Sequence, residues 1–435
     1  MPTPLFDCPA PVAPPPRLAV RAFRFTPALL VLASAGLLAS GTQVGFKDAF
    51  ATARGNAFVA TADNPSAIYY NPAGLTQLQG QNISATAYAL QLNADFQSAY
   101  SAATSSLKTQ TKLLPQVYYA WAPAGAKWAL GLGFYAPFGL STDWNNADQP
   151  LTDVLFPYAT KNEETYLTLN PVFAWRLTDT LSIGGGLTFN HLKVDLNRGV
   201  LFSGIPYTAL FHFNADGNDV GYNLGLRWQP SPEHAFGLSY QARTNFGVSG
   251  TTTLHFVPLF PNVPPNSDQI NSARADFAFP EVLIAGYSYR PNPDWNLEAD
   301  IDWTNWTCLK TVVISQASGN PVTLPFDWKA SCFYELGATR YLGDGWQVSA
   351  GYTYSQNSVP DATFNPAVPD ADRHFVNAGA GYAHGPWRIT LTLQHALAGT
   401  RHIHNGPSPG LLPYSVDGAY RTSIDAMALA VDCHF

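Results

Sequence analysis

Charge is scarce in this sequence. Only 12% of its 435 residues are Asp, Glu, Lys or Arg, about half of the roughly 25% found in ordinary globular chains. The formal net charge is −7, and no cluster of Lys and Arg lies beyond the leading segment. Binding a phosphate backbone needs such clusters, so nucleic acid is excluded as a partner. Long apolar runs are missing as well. Beyond the N-terminus there is no stretch of about 20 apolar residues, which excludes a bundle of membrane-spanning helices. The four cysteines, Cys8, Cys308, Cys332 and Cys433, have neither zinc-ligand nor redox-pair spacing. Cys8 lies in the leading segment, and the odd remainder argues against a disulfide framework. No Ser-His pair or facing acid pair stands in a local pattern suited to nucleophilic or acid–base catalysis. No enzyme activity, metal or cofactor is therefore expected.

Aromatic residues, by contrast, make up 13% of the chain, with 34 glycines beside them. Mean hydropathy is close to zero. Few charges, many rings and a neutral average fit strands with one face in lipid and one in a polar lumen. Composition alone leaves a large soluble β protein open.

The first forty residues read as an export signal. Arg17, Arg21 and Arg24 form a positive region, and residues 27–38 form a short apolar run. Ala39-Ser40-Gly41 supplies small residues for cleavage. A second candidate site at Ala33-Ser34-Ala35 would cut the apolar run in half. The Pro-rich stretch 1–16 is unusual upstream of a signal, and Val20 is an alternative start. The domain reading is 1–41 extension and signal, 42–80 an N-terminal segment, and 81–435 a barrel.

From about residue 81 onward, period-2 segments recur between turn residues. Short turns fall at 122–127, 178–180, 230–233, 291–294, 343–345 and 384–386, each rich in Gly, Pro, Asp or Asn. Between them lie long connections at 93–115, 139–164, 195–219, 250–273, 308–327, 356–373 and 397–422. The count is fourteen strands. Short and long connections in alternation are the rhythm of an outer-membrane barrel, with short turns on the periplasmic side and long loops outside. The predicted fold is an all-β, 14-stranded antiparallel transmembrane β-barrel.

Trp295, Leu297, Ala299, Ile301 and Trp303 alternate with Asn296, Glu298, Asp300, Asp302 and Thr304. Trp346, Val348, Ala350, Tyr352 and Tyr354 alternate in the same way with Gln347, Ser349, Gly351, Thr353 and Ser355. Successive strand residues point to opposite faces, so each strand has one lipid face and one lumen face. Trp and Tyr stand near strand ends, as in an interfacial girdle. Met427, Leu429, Val431, Cys433 and Phe435 share the apolar parity of a last strand that can close against the first. Residues 42–80 lack this pattern. They are rich in Gly, Ala and Asn, and they contain Asn71-Pro72-Ala73-Gly74-Leu75. Asn-Pro fixes turns. A compact, turn-rich piece of this size suits the lumen of a wide barrel as a plug.

That Asn71-Pro72-Ala73-Gly74-Leu75 motif, after a signal, resembles the N-terminal hatch of the FadL-type long-chain fatty acid transporters, which include the TodX-type aromatic hydrocarbon transporters. Four more segments agree, in order. The run from Leu130 to Leu140, with Pro137-Phe138-Gly139, resembles the family's interrupted third strand. Phe279-Pro280-Glu281 resembles the opening of its eighth, and Trp295 to Trp306 its ninth. Pro369-Asp370-Ala371-Asp372-Arg373 is similar to the loop before its twelfth. The likeness spans roughly 42–435.

The resemblance implies a plugged 14-stranded barrel. A hydrophobic ligand is captured among the loops, moves to an internal pocket, and leaves sideways through an opening at the third-strand kink. Sideways exit spares a hydrophobe from full hydration. Asn71, Pro72, Ala73 and Gly74 are then plug residues, and Pro137, Phe138 and Gly139 the exit kink. Lys329 shares the parity of Ser331 and Glu335 and matches a family lysine at the ligand headgroup, although Glu335 could pair with it instead. His191 and Lys193 sit at a basic position of the fifth strand, with parity that favours the rim. Phe156, Tyr158, Phe211 and Phe213, in loops 139–164 and 195–219, form apolar clusters suited to ligand binding. His395, His402 and His404 read as solvated loop residues, not as a metal site.

The implied function is passive uptake of hydrophobic compounds, foremost long-chain fatty acids. Aromatic hydrocarbon uptake is the alternative within the family, and a general porin or adhesin the alternative outside it. The expected partners are the hydrophobic small molecule, outer-membrane lipid, and the barrel-assembly machinery through Phe435. The chain is expected to act as a monomer.

Overall fold

The computed structural model describes residues 41–149, 152–405 and 414–435. The signal segment, its cleavage sites and the alternative start lie outside the described residues. The wall is built from fourteen antiparallel strands. They are β1 Gly80–Ser98, β2 Thr111–Ala122, β3 Trp128–Tyr135 resuming at Gly139–Asp143, β4 Lys161–Arg176, β5 Leu181–Leu201 and β6 Tyr207–Ser231. There follow β7 His234–Gln241 and Thr244–Pro258, β8 Gln269–Phe279 and Val282–Asn292, and β9 Trp295–Thr304. The last five are β10 Ser331–Gly343, β11 Trp346–Ser355, β12 Arg373–His384, β13 Trp387–Ala398 and β14 Gly418–His434.

Each strand pairs with its neighbour in sequence. β14 pairs with β1 from Asn82↔His434 to Ser98↔Gly418, which closes the barrel. Closure removes the free edge that β1 and β14 would otherwise present to lipid. The short turns occupy the predicted places. The β10–β11 turn carries Gly343 and Gly345 at φ 84°, with Asp344 at 49°, a left-handed path in which glycine meets no steric penalty.

Alternation decides which face each residue takes. On β9, Leu297, Ile301 and Trp303 are exposed outward, and Asn296, Glu298, Asp300, Asp302 and Thr304 are buried inward. Several long connections turn out to be partly strand. β5 runs to Leu201 and β6 starts at Tyr207, so the connection 195–219 reduces to a five-residue turn at 202–206. The physical reason is that alternation continues past the membrane: Phe211, Phe213 and Ala215 are buried while His212, Asn214 and Asp216 are not. Connection 308–327 holds a small hairpin, Thr311–Gln316 against Val322–Pro325.

Every residue from 41 to 76 except Asp63 is buried. Two short helices, α1 Ala49–Ala53 and α2 Ala67–Tyr70, and a 3-10 turn, Pro72–Gln77, shape this segment. Asp48 caps α1 by accepting from Ala51 N at 2.9 Å. Asn71 caps the 3-10 turn by accepting from Ala73 N at 3.2 Å, and Pro72 fills the first position, where no N–H is needed.

Candidate functional site: a cavity under the loops and a seam in the wall

The segment is held from the side of β9 by carboxylates. Asp300 Oδ2 accepts from Phe58 N at 2.7 Å and Val59 N at 2.9 Å. Glu298 accepts from Ala60 N at 2.7 Å, from the Thr61 N–H at 3.2 Å and from the Thr61 hydroxyl. It also pairs with Arg54 at 3.3 Å, both side chains being fully buried. Asp302 accepts from Gln43 Nε2 at 3.1 Å, and Glu335 on β10 accepts from Asn56 Nδ2 at 2.8 Å. Buried carboxylates survive only when paired and hydrogen-bonded, and here the segment supplies the donors.

The motif residues fasten the segment to β5 and β6. Asn71 Nδ2 donates to Val59 O at 2.8 Å and to Leu226 O of β6 at 3.0 Å. Pro72 and Ala73 lie against Gly184 of β5, where a Cβ would come within 2.6 Å of Pro72 C. Gly74 has no room for a side chain, because a Cβ there would stand 2.2 Å from Ala62 O.

The tip of the segment meets the broken third strand. Residues 136–138 leave β3, and Pro137 has no N–H to give a ladder. Val44 N donates to Pro137 O at 2.8 Å and Gly139 N to Thr42 O at 2.8 Å, with Gln43 bridging antiparallel to Phe138. The strand therefore pairs inward with the chain's own N-terminal segment. Phe138 is buried against Phe279 at 5.1 Å and Tyr166 at 5.3 Å.

The consequence for the wall is a seam. β2 pairs with β3 only from Val117↔Phe134 to Trp121↔Leu130. Among the described residues, 111–116 of β2 have no ladder partner on that side. Lys112 Nζ reaches across to Glu163 Oε1 of β4 at 3.1 Å, and Lys108 N donates to Asp143 O at 2.7 Å.

Above the tip lies a cavity of ≈ 390 Å³. Thr42 touches its floor. Leu140, Tyr158, Phe211, Phe279, Trp306, Trp328 and Phe364 give it an apolar lining, and Asn162, Glu164, Asn197 and Arg198 are its polar part. Arg198 is the only Lys or Arg among the described lining residues. Its guanidinium carbon lies 5.8 Å from the Phe211 ring centre, within cation–π reach. Its Nε donates to no acceptor among the described residues.

Of the loop aromatics expected to bind ligand, Tyr158 and Phe211 line this cavity. Phe156 and Phe213 are fully buried and are not among its lining residues. The Phe156 ring instead covers Gly199, where a Cβ would come within 2.0 Å of it. Lys329 must be corrected. It is exposed and does not line the cavity. β10 begins only at Ser331, and Asp327 takes φ 44°, so strand parity does not extend back to residue 329. Trp328 takes the inward place, 4.8 Å from the Trp306 ring centre.

His191 Nδ1 lies 3.0 Å from Asn218 Oδ1, and Lys193 is exposed; neither lines the cavity. His402 and His404 are exposed, and no group of three metal-ligand side chains stands among the described residues. Arg198 was within reach of the sequence reading, because it shares the parity of Val194 and Leu196. Treating 195–219 as loop concealed it. Glu298 and Asp300 were visible as inward acids, but nothing in the sequence names their partners.

A closed wall, an occupied lumen and an apolar cavity beneath the outer loops define an outer-membrane transport barrel. Residues 30–397 match the family described as outer membrane protein transport protein (OMPP1/FadL/TodX), and the chain belongs to that family. It is thus an outer-membrane protein of a family that transports hydrophobic compounds. It is 23% identical over 409 residues to the long-chain fatty acid transport protein of Escherichia coli O157:H7, covering 82% of this chain and 89% of that one. It is 22% identical to outer membrane protein P1 of Haemophilus influenzae, covering 86% and 89%. Among solved structures, a FadL homologue of Pseudomonas aeruginosa matches with TM-score 0.78 at 18% identity, covering 91% of this chain and all of the other. The toluene transporter TodX of P. putida matches with TM-score 0.71 at 17% identity, covering 89% and 98%. At these identities the structures speak to the fold alone.

Proposed function

We propose that this protein takes up long-chain fatty acids across the outer membrane, without an energy source of its own. The observation that carries this reading is the cavity: a ring-lined space whose polar part holds one guanidinium, Arg198, together with Asn162, Asn197 and the Glu164 carboxyl. An aliphatic chain gains by leaving water for such a lining, and an arginine offers a carboxylate paired hydrogen bonds. The curated relative in E. coli carries the matching name. Arg198 here takes the headgroup role first expected of Lys329.

In this reading residues 41–79 plug the lumen, with Asn71, Pro72, Ala73 and Gly74 as part of the seat, so water and solutes have no open pore. Ligand gathers among the loops, settles in the cavity, and displaces the tip at 42–44 from Pro137, Phe138 and Gly139. The freed kink opens the β2–β3 seam, and the ligand passes into lipid. The protein works as a monomer, and Phe435 marks its last strand for the barrel-assembly machinery.

Uptake of a neutral aromatic hydrocarbon is the second reading, favoured by the rings that dominate the lining. Arg198→Ala separates the two. A hydrogen bond to a charged group contributes about 1.5–3 kcal/mol, so oleate binding should weaken roughly 10- to 150-fold, with toluene nearly unaffected. Equal small losses for both ligands would remove the support for a fatty-acid headgroup at Arg198.

A further inference from the structure

The outer face of the wall carries a groove of ≈ 710 Å³ that crosses β12, β13, β14 and β1 and ends at Thr111 of β2. Strand register explains its shape. One row of directly opposed residues runs Thr111, Gln91, Asp425, His395, Val376. The next row toward the periplasmic turns runs Ala89, Met427, Leu393, Ala378. The first row is polar over four strands. Gln91 Nε2 donates to Thr111 Oγ1 at 2.7 Å, and His395 Nδ1 lies 2.7 Å from Asp425 Oδ1. The second row is apolar, and Ala89 and Ala378 leave hollows beside the protruding Leu393 and Met427. Above the polar row, toward the loops, the outward residues stay mostly polar, with Asn93 opposite Ser423 and Asp95 opposite Arg421.

A polar row set directly over an apolar row, on a face that contacts lipid, marks the depth at which headgroups give way to chains. On β5 and β6 the same boundary is the pair His191 and Asn218 over Phe189 and Val220. On β12 to β1 it is a groove with a histidine–carboxylate contact and an amide at its top. No Lys or Arg stands among its described lining residues, and Asp425 would repel a phosphate.

We propose that this groove is a binding site for a glycolipid of the outer leaflet. Its amide and hydroxyl groups meet Gln91, Thr111, His395 and Asp425, and one of its chains lies over Ala89 and Ala378. Because the groove ends on β2, the strand that borders the seam, the bound lipid forms the membrane side of the exit. The binding site rests on the outer face alone, whichever substrate the lumen carries; its place beside the exit rests on the lateral route proposed above.

The test is native mass spectrometry of the purified barrel in neutral detergent. It is titrated with dephosphorylated lipid A or with phosphatidylglycerol of matched chain length. The wild type should retain dephosphorylated lipid A at least about tenfold better than phosphatidylglycerol. Filling the slot with Ala89→Phe and Ala378→Phe should abolish that preference. Because that pair could disturb assembly, Gln91→Leu with Asp425→Leu is measured beside it, on a polar row exposed to lipid. It too should lose the preference, with heat-modifiable gel migration intact. Equal retention of both lipids by the wild type, retention of neither, or an unchanged preference in the folded variants would overturn the proposal.

Discussion

Consider Glu298→Ala. The Glu298 carboxylate accepts from Ala60 N, Thr61 N and the Thr61 hydroxyl, and it pairs with Arg54. Truncation leaves Arg54 with Asn296 Oδ1 at 2.9 Å as its remaining hydrogen-bond acceptor, and leaves two backbone N–H groups without theirs. Removing one partner of a buried ion pair costs about 3–5 kcal/mol. At about 1.4 kcal/mol per tenfold, the seating of the segment should loosen roughly 100- to 4,000-fold. The wall itself keeps its ladders, so the barrel should still migrate as a heat-modifiable band. In planar bilayers the wild type should stay closed, and Glu298→Ala should show frequent conducting events. The compensated variant Arg54→Met with Glu298→Leu should restore much of the seal, because replacing both members of a buried pair with apolar residues is close to neutral. A folded Glu298→Ala barrel that stays as closed as the wild type would refute the idea that β9 holds the segment electrostatically.

Other outcomes follow from the same geometry. Gly74→Ala places a Cβ 2.2 Å from Ala62 O, so limited proteolysis should cut residues 41–79 faster while the wall resists. Gly139→Trp at the kink should lower uptake of labelled oleate while ligand still binds the intact cells; unchanged uptake in a folded variant would count against the seam as the exit. Lys329→Ala should leave oleate binding within about twofold of wild type, because an exposed charge contributes little. Asp48, on the segment and outside the wall strands, has its carboxyl pushed up to about 7, first by burial and then by the charge of Asp432. A raised carboxyl binds a proton more tightly in the seated state, so seating should weaken as pH climbs from about 4 through 7. Asp48→Asn keeps the cap, and hydrogen exchange of the segment should then lose that pH dependence; a variant as pH-sensitive as wild type would contradict it.

The parts that could be read from sequence are those fixed by local rules. Gly343-Asp344-Gly345 must turn, and the two-faced run from Trp295 to Thr304 must lie between lipid and lumen, whatever its neighbours. The short-long beat followed from these two facts repeated along the chain. What stayed hidden depends on distant partners. Alternation placed Glu298 and Asp300 inward, but the donors they bind lie more than 200 residues away in sequence. Extending strand parity back to Lys329 failed because the ladder starts two residues later and Trp328 takes the inward place. Arg198 escaped notice because β5 continues beyond the membrane, where a loop was expected. Pro137 announced a break in β3, but not that the broken strand would pair with residues 42–44.

That pairing supports the most direct test of transport through the wall. Gln43 and Phe138 are opposed across an antiparallel bridge, where Cα atoms stand roughly 4.5–5.5 Å apart, within the range a disulfide spans. With Cys308, Cys332 and Cys433 replaced, Gln43→Cys and Phe138→Cys should join the tip to the kink under oxidising conditions. Uptake of labelled oleate by a transporter-deficient host should stop in the oxidised state and return on adding reductant. Equal uptake in both states, with the cross-link shown to be complete, would mean that the ligand crosses without freeing the kink, and the lateral route would be wrong.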